Sequence, residues 1–376
     1  MENSSAKPVN IEFRLLTALG IIFVICGHYG IGSLTLDWLY PYDCFHIPMF
    51  MFISGYFFSQ KSIDSIESVA NYVKKKVFHL LIPYFAWNII YGVVGYILVR
   101  RGYTLASNVP FSPYTFFVRP FLLSDGFGYN VAAWFLMSLF IVELANCFIR
   151  YIINKLSITS DWVWMLLYFA IAFGGILLGQ SYHDVLWDTG IPRNMYLLFW
   201  YGLGTYYKTT LEKWDRRIPF HVVLSINLFS SAFLAYTQNN AIPVVYASSF
   251  HGPPLYFFIR AFLGIWFWLR IVRFLLPVLS QCKLLLFIGE HSFSYMMHQC
   301  IVCSALNYLF WKLGYQFFDV ATFKSVSWFS IDIGPSKIVY LLWVLGIITP
   351  LLQLYDTKIS PKLTQIKRLV SKTSSV

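Results

Sequence analysis

The chain is a succession of long apolar runs separated by short polar segments. Runs approaching the roughly 20 apolar residues that cross a bilayer core fall at 13–32, 44–60, 78–99, 132–153, 162–180, 195–207, 218–237, 255–276, 284–311 and 335–355. They predict an all-α integral membrane protein of about ten transmembrane helices. The sixth run is short, contains Gly202 and Gly204 and ends on Tyr206-Tyr207, so little tilt or a partly re-entrant path is expected there. No intervening segment is long enough for a separate soluble domain, which makes 1–376 one transmembrane domain with short tails at 1–12 and 356–376.

Composition supports the same class. Only 12% of residues are charged and 58% are hydrophobic, against about 25% charged in soluble domains. Residues 1–10 are polar and lack the basic segment and small-residue cleavage site of a secretory signal, so the first run is expected to stay in the chain as a span. The net charge of +11 comes with no nucleic-acid motif, and topology accounts for it better. With the N-terminus in the cytoplasm, 20 Lys and Arg fall on the cytosolic side and 7 on the other, with Arg260 inside a span. That asymmetry obeys the positive-inside rule and predicts both termini cytoplasmic. Cys300 and Cys303 have metal or redox spacing, but they sit mid-span with no second cysteine pair. The six cysteines therefore predict buried packing, not a metal site or disulfide framework.

Ionisable groups inside hydrocarbon are costly and default to a functional reading. Arg14 and His28 lie fourteen residues apart in the first run, which projects them to nearly the same helix face about 21 Å apart along the axis. An elongated donor with an anionic cytosolic end and a reactive inner end would fit that separation. An imidazole can take a proton from an attacking hydroxyl, the general-base step of acyl transfer. His46 opens the second run after a short loop and is expected at the depth of His28, with Pro48 in the first turn and Ser54-Gly55 as a close-packing position. His298, about fourteen residues into the ninth run, is a third candidate at similar depth. Lys74, Lys75, Lys76 and His79 precede the third run, where they serve topology and lipid attraction or bind the phosphates of a cytosolic donor. Glu143 and Glu290 each need a partner, expected to be Arg260, a lysine or a histidine.

These residues occur within an ordered set of landmarks: the first-run Arg and His; Phe45-His46-Ile47-Pro48-Met49-Phe50-Met51-Phe52-Ile53-Ser54-Gly55-Tyr56; the basic segment ending Leu81-Ile82-Pro83-Tyr84; Trp134-Phe135-Leu136; and Ile288-Gly289-Glu290-His291-Ser292-Phe293-Ser294-Tyr295. Together they resemble the membrane acyltransferase-3 family over nearly the whole chain. The resemblance implies a ten-helix enzyme of the bacterial inner membrane. It would transfer an acyl group, most often acetyl from acetyl-CoA as co-substrate and with no bound cofactor, to a hydroxyl of a cell-surface or exported glycan or a lipid-linked saccharide. It assigns the essential catalytic role to His28 and matches Arg14, Lys76 and His79 to the family's basic donor-binding positions. His46 and His298 are the expected orienting groups. The interval from Arg14 to His28 is longer than the family's commonest one, and Glu290 stands where Lys or Asn is frequent, so no role passes to it. A polysaccharide or small-anion transporter or flippase fits the spans and buried charges equally well; the ordered landmarks favour the enzyme.

Overall fold

A computed structural model of the protein describes residues 9–31, 36–103, 111–122, 128–158, 160–182, 190–237, 243–245, 248–315, 319–321, 324 and 334–361. The ends of both predicted tails, and much of the predicted outer segments 100–131, 181–194, 238–254 and 312–334, lie outside the described residues. The helices are α1 Ile11–His28, α2 Tyr42–Tyr56, α3 Ile66–Lys76, α4 Ile82–Arg100, the short α5 Pro113–Phe117 and α6 Arg119–Leu122, α7 Trp134–Lys155, α8 Asp161–Tyr182, α9 Gly190–Tyr206, the short α10 Glu212–Asp215, α11 Phe220–Thr237, α12 Pro254–Leu279, α13 Lys283–Glu290, α14 Ser292–Lys312 and α15 Ile338–Leu354. Outside the helices, Pro243–Val244 (β1) and Ser249–Phe250 (β2) form a two-residue antiparallel ladder.

Seven helical segments among the described residues are long and apolar enough to cross a membrane: Ile11–His28, Ile66–Arg100, Tyr129–Lys155, Asp161–Ser181, Phe220–Thr237, Pro254–Leu279 and Ile338–Ile359. The other three predicted runs are helical but do not meet that standard alone. α2 has 15 residues and α9 has 17. The ninth run is broken between α13 and α14, where His291 leaves helical geometry at φ −104°, ψ 22°. Two local expectations change. α2 starts at Tyr42, so Pro48 sits in its second turn, where its missing N–H falls inside the helix. The sixth run begins earlier than expected and continues from α9 through a π-turn, Tyr207–Leu211, into α10.

α9 is the centre of the bundle. Tyr196, Leu197, Trp200 and Tyr201 are fully buried within it, and glycines set its closest approaches. A Cβ at Gly55 of α2 would run into the carbonyl of Tyr201, and one at Gly204 of α9 into the carbonyl of Phe52. The Thr205 hydroxyl donates to the Gly55 carbonyl at 2.8 Å across the same seam. Without a hydrophobic drive between helices in lipid, such small-residue contacts and interhelical hydrogen bonds hold the helices together. This is the packing role expected of Ser54-Gly55. α1 packs beside α2 in the same way, with Gly20 leaving room for Phe50 and Met49.

Candidate active site

The C-terminal end of α1 and the N-terminal end of α2 carry His28 and His46. A Cβ at Gly27 would collide with the ring of Tyr42, whose hydroxyl donates to the Gly27 carbonyl at 3.2 Å. The backbone N–H of Tyr42 in turn donates to Asp37 Oδ1 at 2.9 Å. Burial raises the Asp37 carboxyl above its ordinary value, against the opposing pull of that N–H. Glycine, ring and carboxylate thus fix the mutual position of the two helix ends.

One turn beyond Tyr42, His46 Nδ1 makes a short hydrogen bond to the Tyr42 carbonyl. A carbonyl only accepts, so Nδ1 carries the proton and Nε2 is left with its lone pair. His28 lies within electrostatic reach of His46, and no hydrogen bond to its ring occurs among the described residues. Both imidazoles are densely surrounded by protein yet keep part of their surface accessible. No carboxylate orients either ring among the described residues; the backbone carbonyl of Tyr42 does this for His46.

His298 is held separately. Its Nδ1 is 2.7 Å from the hydroxyl of Tyr91, and the edge of Trp87 meets its ring with centroids 4.5 Å apart, so α4 supplies its wall. The Tyr29 hydroxyl, next to His28, donates to the carbonyl of Gln299, next to His298, at 2.9 Å, so α14 lies beside the C-terminal end of α1. Direct contact of His298 with His28 or His46 is not seen among the described residues.

The opposite end of α1 holds Arg14, paired with Glu290 at 2.5 Å. Glu290 therefore finds α1 and not Arg260, a lysine or a histidine. The reason is tertiary: a Cβ at Gly289 would strike the Arg14 carbonyl, so α13 lies directly against α1. Glu143 does meet a lysine, Lys76, at 2.6 Å. That separates the three lysines: Lys76 is committed to a buried carboxylate, whereas Lys74 and Lys75 are exposed with His79, whose Nδ1 contacts the Lys75 carbonyl at 2.7 Å. Arg260 donates to the Leu234 carbonyl at 3.0 Å. His291 Nε2 pairs with Asp356 at 2.9 Å.

One cluster was not anticipated. Arg273 contacts Glu12 at 2.6 Å, Glu212 at 3.3 Å, Tyr207 at 2.6 Å and, more closely still, Asp215. Arg216 joins Glu12 and Glu212 at 2.9 and 2.6 Å, and Arg270 reaches the backbone carbonyl of Asp215 at 2.6 Å. Three arginines and three carboxylates from α1, α10 and the residue that caps it, and α12 thereby neutralise one another at the end of the bundle that also holds Arg14. In sequence these arginines register only as topological charge. Arg270 and Arg273 stand one turn apart at the end of a span, but their carboxylates lie in other elements, so only the weak signal of that spacing was available.

Among the described residues no three His, Cys, Asp or Glu side chains converge as metal ligands. No curated relative and no solved structure is detectably similar to the chain. The family model of an acyltransferase domain matches residues 10–350, from the start of α1 into α15 and across all three histidines, Arg14 and the lysine segment. A helical membrane bundle with imidazoles at one end of α1 and an arginine at the other is thus joined to a match over most of its length, and the chain belongs to the acyltransferase-3 family of acyl-transferring enzymes.

Proposed function

We propose that this enzyme transfers an acyl group, in the first instance acetyl, from cytosolic acyl-CoA to a hydroxyl of a cell-surface or exported glycan or lipid-linked saccharide. In this reading the chain crosses the bacterial inner membrane ten times with both termini in the cytoplasm. The three remaining helical stretches, α2, α9 and α13–α14, complete the count against their neighbours. The observation that carries the reading is that His28 ends α1 within electrostatic reach of His46 on α2, while Arg14 stands about 21 Å away toward the other end of α1.

Arg14, Lys74 and Lys75, with Lys76 and His79 beside them, bind the donor's phosphates at the cytosolic face, where arginine and lysine make charge-assisted hydrogen bonds. The thioester reaches inward toward the histidines. His28 removes the proton of the acceptor hydroxyl, whose oxygen attacks the thioester carbonyl. The carbon–sulfur bond then breaks, and the leaving thiolate takes the proton back from His28. His46, held with Nε2 unprotonated by its bond to Tyr42, accepts a hydrogen bond from the acceptor and orients it. His298 orients the acceptor from the α4 side.

The test is incorporation of label from radiolabelled acetyl-CoA into the glycan fraction of membranes carrying the native chain or His28→Ala. Label with the native protein alone supports the reading. Equal label with an inserted, abundant His28→Ala protein refutes the assignment of the base. No label with either protein, repeated with other acyl-CoA donors, refutes the donor assignment and turns attention to transport.

A further inference from the structure

Arg150, in the last two turns of α7, is a buried arginine without an ion-pair partner among the described residues. Its relative exposure is 8%. No ion pair or hydrogen bond engages its guanidinium among the described residues, and its Nε is sealed from solvent with no partner. Arg270 and Arg273, buried to a similar degree, are held by carboxylates and carbonyls. Removing the partner of a buried charge is strongly destabilising, so an arginine kept inside without one marks a place where a partner arrives from outside the chain.

The surroundings define what that partner is. The ring of Trp164 lies 4.1 Å from the guanidinium carbon and takes up one face by cation–π attraction. Its sealed Nε–H lacks a partner and its terminal N–H groups reach the surface, and a rigid fork of this kind matches a tetrahedral oxyanion. Trp164 is itself fixed by donating from Nε1 to Asp161 Oδ1 at 2.9 Å. Asp161 is within electrostatic reach of Arg150, but its other oxygen accepts from Thr209 and Thr210 at 3.3 and 3.4 Å. One turn before Arg150, Asn146 accepts from the Tyr168 hydroxyl at 2.9 Å and leaves its buried Nδ2 donor unpartnered. Tyr168 and Asp161 lie within electrostatic reach of the guanidinium, yet neither takes a hydrogen bond from it among the described residues, and two orphaned donors, Arg150 Nε and Asn146 Nδ2, suit an oxyanion.

We infer that Arg150, Asn146 and Trp164 form a binding site for a phosphate group at the end of α7. Its position near the end of a spanning helix places it at headgroup depth, where the phosphate belongs either to an anionic phospholipid or to the acyl donor. The second source rests on the function proposed above; the site does not.

The purified full-length protein, Arg150→Gln and Arg150→Lys are compared in detergent with two sets of probes. Native mass spectrometry follows phosphatidylglycerol against diacylglycerol with the same chains, and calorimetry follows CoA against pantetheine. The phosphate-bearing probe of one set binds the native protein, Arg150→Gln weakens it about tenfold, and Arg150→Lys, which keeps the charge and the fold, weakens it less. Loss confined to phosphatidylglycerol assigns the lipid, and loss confined to CoA assigns the donor. Unchanged binding of both probes in both variants overturns the site. If CoA fails to bind the native protein, the donor reading fails while the phosphatidylglycerol comparison still decides the site.

Discussion

Replacing Lys76 by Met removes the ion-pair partner of Glu143, whose side chain is 3% exposed and whose Oε2 already lacks a partner. Breaking a buried pair from one side costs about 3–5 kcal/mol. An upper bound follows from protonation, because the stranded carboxylate can always become neutral. At pH 7 a carboxyl with the ordinary value near 4.3 is 2.7 pH units above it, and at 1.36 kcal/mol per unit neutralisation costs about 3.7 kcal/mol. The expected destabilisation is therefore about 3–4 kcal/mol at pH 7, a fall of roughly 5 °C in melting temperature for a chain of this length. The sign with pH follows: protonation becomes easier as pH falls, so by pH 5 the bound drops to about 1 kcal/mol and the deficit of the variant shrinks with it. The assay is the melting of detergent-purified native protein, Lys76→Met, Lys76→Met with Glu143→Leu, and Lys74→Gln with Lys75→Gln. The second substitution restores most of the loss, because the buried charge is gone, and the exposed lysines leave melting unchanged. A Lys76→Met protein that melts like the native one at pH 7, or a deficit that grows toward pH 5, would refute the buried-pair argument.

Two further outcomes follow from the site. Tyr42→Ala empties the space beside Gly27 and loosens the His28–His46 geometry, so turnover falls about 100-fold, while Tyr42→Phe keeps the ring and loses only one hydrogen bond, worth about 1 kcal/mol; measured kcat for the two variants checks this, and equal values would sink it. Glu290→Gln releases Arg14 from a partner that is itself 55% exposed, so stability is nearly unchanged and the KM for acyl-CoA falls about two- to fivefold; a raised KM would show that Glu290 positions Arg14 instead of competing for it.

The apolar runs and the lysine and arginine distribution were enough to read a helical membrane protein, because crossing a bilayer imposes length and composition on each helix independently of its neighbours. The landmarks from Arg14 to His298 were enough to read the family, and the residue types alone marked His28, His46 and His298. Helix boundaries were less legible. α2 begins earlier than its apolar run, and the ninth run breaks at His291, just after the Gly289 contact that seats α13 on α1 and leaves no periodic trace. Partnership was decided by the tertiary structure alone. Glu290 went to Arg14, Lys76 parted from Lys74 and Lys75 to meet Glu143, Arg273 gathered carboxylates from Glu12 to Asp215, and Arg150 was left against Trp164 with no ion pair among the described residues. Hydrophobicity acts residue by residue and is written along the chain, whereas pairing of charges depends on which helices pack together and in what register, and no single helix contains that information.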